Sequence, residues 1–99
     1  MWYSIVTQDY ENSLDKRMNV RSEHVTRLKK LLDDGRLLLA GPNPAIDASE
    51  PGPAGFTGSI IIAEFDSLED AKSWAKEDPY TKANVTKKIN VKPFNLVLP

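Results

Sequence analysis

No cysteine occurs in these 99 residues, and histidine occurs once. The first absence excludes disulfides, a thiolate nucleophile and any cysteine-ligated zinc or iron–sulfur centre. The second excludes sites that need two imidazoles, such as the two-histidine, one-carboxylate iron site. Charge of one sign is missing too. Thirteen Lys and Arg face fourteen Asp and Glu, a net charge of −1, so nothing draws the chain to nucleic acid or to an anionic membrane. No apolar run approaches the roughly 20 residues of a membrane-spanning helix. The segment Met1 to Gln8 has neither the basic start nor the cleavage site of a secretory signal. A cytoplasmic chain forming one domain over residues 1–99 is the expectation, with no metal and no cofactor implied.

What is present reads as six elements. Trp2 to Thr7 is β-branched and aromatic, a strand that the polar stretch Gln8 to Ser13 ends. Ser13 can cap a helix, Asn19 to Ser22 weakens its pattern, and Gly35 stops it, so one broken helix or two consecutive ones are expected. Arg36 to Ala40 and Gly58 to Phe65 read as short buried strands. Between them, Gly41 to Thr57 forms a proline-stiffened loop long enough to serve as a lid, a binding loop or a dimer arm. Ser67 opens a second helix with the apolar stripe Leu68, Ala71, Trp74 and Ala75, which Pro79 ends at about Asp78. Trp74 reads as core and Tyr80 as the rim of a site. The tail from Val85 is a final strand in which Pro93 requires an edge position or a bulge. The order βαββαβ predicts a ferredoxin-like α+β fold, a four-stranded antiparallel sheet with two helices on one face. The open face predicts a homodimer formed sheet to sheet.

His24 is followed by Leu28, Leu31 and Leu32 at i+4, i+7 and i+8, which puts the imidazole on the leucine face of a helix. Three readings fit a buried histidine: an inert, hydrogen-bonded core residue; a general acid or base oriented by a carboxylate; or an axial haem ligand, for which nothing else in the chain speaks. Asp78, preceding Pro79 at the end of the second helix, heads the carboxylates, and Asp9 beyond the first strand is the next. Arg17 and Arg21 share a helical face and can hold an anionic oxygen of a substrate, or else form a solvated face paired with Glu11, Asp15 or Glu23. Ser59 and Thr57 lack the glycine frame of a nucleophile elbow.

Taken in order, Gln8-Asp9, Lys16-Arg17, Val20-Arg21, His24, GRLLLAGPNPAID, AGFTGS, AEF, WAKEDPY and VKPF closely resemble the YciI-like, YCII-related family over nearly the whole chain. The resemblance implies a ferredoxin-like fold paired as a dimeric α+β barrel, with a site centred on histidine and aspartate. Residue for residue these are His24 and Asp78, with Asp9 as the fallback. Related barrels include isomerases, lyases and oxygenases that act on cyclic or aromatic compounds. A cofactor-independent acid–base enzyme of isomerase or lyase type is therefore expected, with Arg17, Arg21 and Asp9 binding a small substrate. The alternative is a non-catalytic small-molecule binding or stress-related dimeric protein.

Overall fold

β-Branched and aromatic side chains make β1 (Trp2–Asp9), along which the inward-facing Tyr3 and Ile5 are buried. A helix α1 (Leu14–Asp33) leads to β2 (Leu37–Pro44), and β3 (Phe56–Glu64) returns antiparallel beside it. Two helices, α2 (Leu68–Lys76) and the four-residue α3 (Pro79–Lys82), precede β4 (Thr86–Phe94). The computed structural model describes Met1 to Pro99 throughout. The sheet order is β2-β3-β1-β4 with every pairing antiparallel, which is the ferredoxin-like arrangement. Pro42 and Pro44 lie in the edge strand β2 and Pro93 in the edge strand β4, where a missing N–H costs no ladder bond.

Register decides which side chains meet the helices. Ile5 pairs with Ile61 and Val91, and Tyr3 with Ala63. The core gathers Tyr3, Ile5, Ile61, Ala63 and Phe65 against Leu31 of α1 and Ala71 and Ala75 of α2. The next residues along point the other way: Val6 pairs with Ile60, Leu39 pairs with Ile62, and Val6, Leu39 and Ile60 are exposed on the outer face.

Several local expectations change. The helix is unbroken across Asn19 to Ser22, because the propensity deficit of such residues amounts to tenths of a kcal/mol each and packing overrides it. Ser13 occupies the N-cap position but its side chain makes no capping bond. Leu32 is 58% exposed; at i+8 it stands about 80° around the helix from His24, whereas Leu28 and Leu31 lie within about 40°. Strands β2 and β3 extend into the long connection and shorten it to residues 45–55, with a single 3-10 turn at Gly52–Ala54. Gly35, at φ 72°, follows the helix end as its left-handed terminator.

Candidate functional site

The residues of α1 that face the sheet change character along the helix. Arg17, His24 and Leu31, each seven positions apart, are its buried side chains. Seven residues are nearly two turns, so all three lie on one stripe. The stripe's apolar end closes the core, and its polar end opens on the site.

Asp78 reaches that stripe because of the local sequence Asp78-Pro79-Tyr80. A residue before proline is held extended, and proline suits the first helical position. Asp78 accordingly lies at φ −63°, ψ 137°, and caps α3 by accepting the Tyr80 backbone N–H at 2.9 Å. Its two carboxylate oxygens also lie 2.9 Å from His24 Nδ1. An ionised carboxylate only accepts, so Nδ1 carries the proton and Nε2 is the nitrogen that can exchange one with a bound compound. Two residues further on, the Tyr80 ring stacks on the imidazole, with centroids 3.9 Å apart and planes 19° apart. Tyr80 is thus buried, at 4% exposure, rather than at the rim. The same short motif supplies both the partner and the cover of His24.

The Arg17 guanidinium also stacks on Tyr80, 4.4 Å from its ring centroid and 5.2 Å from that of Phe56. Its Nη1 donates to Asp9 at 2.5 Å, and both side chains are almost wholly buried. Burial pushes the Asp9 carboxyl above its ordinary range while the Arg17 charge and hydrogen bond pull it back. Asp9 is therefore Arg17's counter-ion and takes no hydrogen bond from His24, and the expectation that it could replace Asp78 is corrected. Nor do Glu11, Asp15 or Glu23 pair with the arginines; Arg21 makes no ion pair and stays exposed.

Arg17, Arg21, His24, Ser59 and Tyr80 line one cavity of about 250 Å³, whose other walls include Val25, Leu28, Phe56 and Ile61. That is close to the lower end of small-molecule sites, roughly 300 Å³. On its inner side, a recess of about 10 Å³ brings Thr7 and Ser59 beside His24 and Asp78. The Thr7 and Ser59 hydroxyls are 2.9 Å apart, one from β1 and one from β3. Burial pushes the Tyr80 phenol above its ordinary range, which keeps it protonated at neutral pH. No group of three His, Asp or Glu side chains converges as a metal site. No helix is long and apolar enough to cross a membrane.

Of the side chains singled out from sequence, His24 and Asp78 meet, Arg17 and Arg21 share their cavity, and Asp9 stands behind Arg17. Sequence reading missed the burial of Arg17, the stacking of Tyr80 and the inward turn of Ser59. The seven-residue spacing from Arg17 to His24 signalled the first. Ser59 occupies the same alternation in β3 as Ile61 and Ala63, which signalled the third.

Residues 1–95 match the family described as the YCII-related domain. The chain is 56% identical over 97 residues to Protein YciI of Escherichia coli O6:H1, covering 98% of this chain and 99% of that one. It is 30% identical over 81 residues to the derivative of benzaldehyde biosynthesis cluster protein C of Emericella nidulans, covering 80% and 83%. Among solved structures it resembles 5-chloro-2-hydroxyhydroquinone dehydrochlorinase from Burkholderia phenoliruptrix AC1100, in complex with 2,5-dihydroxybenzoquinone. That likeness has a TM-score of 0.83 at 25% identity, over 96% of this chain and 94% of the other.

Proposed function

This chain belongs to the YCII-related family, and on that premise we propose that it is an acid–base enzyme of lyase or isomerase type acting on a small, hydroxylated cyclic or aromatic compound. The observation that carries this reading is a sole histidine whose Nδ1 is bonded to a buried aspartate at the wall of a largely apolar cavity. In this reading Nε2 of His24 takes a proton from carbon beside a carbonyl, and the electron pair of that C–H bond moves onto the carbonyl oxygen as an enolate. Asp78 supports the imidazolium so formed. The same proton then returns to another ring carbon, completing an isomerisation, or to a leaving group that departs with its bonding pair, completing an elimination.

Arg21 is the free cation of the cavity, since Arg17 is already neutralised by Asp9. The oxyanion is therefore assigned to Arg21, and Arg17 braces Tyr80. The apolar outer face bearing Val6, Leu39 and Ile60 fits a second copy packed sheet to sheet.

The probe is 2,5-dihydroxybenzoquinone, the compound bound to the dehydrochlorinase this chain resembles. Calorimetry on the parent protein is expected to show saturable binding. Arg21→Ala should weaken it about ten- to a hundredfold, the worth of one charge-assisted hydrogen bond of roughly 1.5–3 kcal/mol. An Arg21→Ala protein that binds as tightly as the parent would remove Arg21 from the site. No binding to either protein would count against this class of compound.

A further inference from the structure

One charged side chain touches the dyad without lining either the cavity or the recess. Arg27 lies one turn beyond His24 on α1, and its Nη1 is 3.5 Å from Asp78 Oδ2, on the same carboxylate that holds the imidazole. We propose that Arg27 is a positioning residue that sets the proton affinity of His24 by sharing the Asp78 carboxylate, acting from outside the substrate cavity. The proposal rests on reading His24 and Asp78 as the proton-handling pair.

Three contacts hold the guanidinium in place. Nη2 donates to the Trp74 backbone carbonyl at 2.9 Å, at the end of α2. The guanidinium carbon stands 4.3 Å over the Trp74 ring. Nη1 is buried without a hydrogen bond, so the Asp78 carboxylate is what compensates its lost hydration. Burial pushes Arg27 below its ordinary range, with Asp78 and Glu77 pulling it back, yet a guanidinium stays charged at every pH the protein meets. The cation next to Asp78 is permanent.

Its effect on the imidazole has one sign. A carboxylate shared with a cation offers less charge to an imidazolium, and the cation also repels the imidazolium directly. Both effects favour the neutral ring, the form that can act as a base. The other charged or titratable groups near the pair are Arg17 and Arg21 of α1, Tyr80 of α3, Glu77 at the end of α2 and Asp9 of β1; Asp78 and Glu77 themselves feel the Arg27 charge, which is why a variant that keeps that charge belongs in the test. Because His24 is the only histidine, its ring protons give a single resolvable NMR titration.

The test compares that titration in the parent, Arg27→Met and Arg27→Lys. Arg27→Met is expected to raise the midpoint, while Arg27→Lys, which restores the charge but neither the fork nor the flat stack, leaves it near the parent value. A folded Arg27→Met protein with the parent midpoint overturns the proposal. Equal upward shifts in Met and Lys also overturn it, because charge is then not the device. If Arg27→Met fails to fold, Arg27→Gln, which keeps a donor for the Trp74 carbonyl, must show the same rise. Asp78→Asn in the same experiment separates the two levels. If it lowers the midpoint while Arg27→Met has no effect, the dyad stands and the proposal fails; if Asp78→Asn has no effect either, the dyad reading itself has failed.

Discussion

A Gly58→Ala protein is expected to melt roughly 12 to 24 °C below the parent, a loss out of proportion to one methyl group. Gly58 lies in β3 opposite Gln8, where the two backbones approach so closely that an added Cβ would sit 1.9 Å from the Thr7 carbonyl oxygen and 2.8 Å from its carbon. Those atoms are main chain in a central strand, so no side-chain rotation relieves the clash. Overpacking in a core costs about 1–3 kcal/mol and occasionally more; a backbone clash belongs at or above that upper end. With about 4–8 °C per kcal/mol for a domain of this size, 3 kcal/mol gives the stated fall. The damage also lies one residue from Ser59, whose backbone N–H donates to Thr7 Oγ1 at 3.0 Å beside His24. A melting point within a few degrees of the parent would show that the strands separate at no cost and that the inner recess is not rigid.

Replacing His24 with glutamine is expected to lower turnover of a hydroxylated quinol about 10²- to 10⁴-fold, the usual worth of general acid–base catalysis, with the melting point close to the parent's. Glutamine keeps an N–H that can reach Asp78, so the buried carboxylate keeps a second donor beside the Tyr80 N–H, with the Arg27 charge still next to it. What it cannot do is accept and release a proton near neutral pH. Binding of the same compound should change little, because the apolar walls and Arg21 are untouched. Turnover in His24→Gln equal to the parent's, measured with far-UV circular dichroism unchanged, would sink the catalytic reading and leave a binding protein in its place.

Much of this was legible in residues whose meaning is local. The β-branched and aromatic run Trp2 to Thr7, the terminating Gly35 and the six-element order carry the ferredoxin-like fold, because strand propensity and turn chemistry are written in adjacent positions. Leu28 and Leu31 gave the face of His24 correctly; Leu32 did not, since i+8 drifts off the stripe in a helix of 3.6 residues per turn. Less legible was every pairing across distance. Asp78 is 54 positions from His24 and Ser59 is 52 from Thr7, and periodicity says which way a side chain points, not what it meets. The Asp9 and Arg17 pair stayed hidden for another reason: polar side chains read as solvated by default, and a buried ion pair reverses that default. Tyr80, read as a rim residue, is instead buried with its ring stacked on the imidazole, a contact between residues 56 positions apart that local pattern does not encode.

The account depends above all on the coupling between the one imidazole and the one carboxylate beside it. Asp78→Asn removes the charge yet keeps the Oδ1 acceptor that caps α3 through the Tyr80 N–H, so the helix junction is preserved. An NMR titration of His24 in the parent and in this variant therefore reads the loss of the carboxylate charge with the helix junction kept. The midpoint is expected to lie lower in Asp78→Asn than in the parent, because the imidazolium loses its counter-charge. Coincident titration curves in two folded proteins would contradict it.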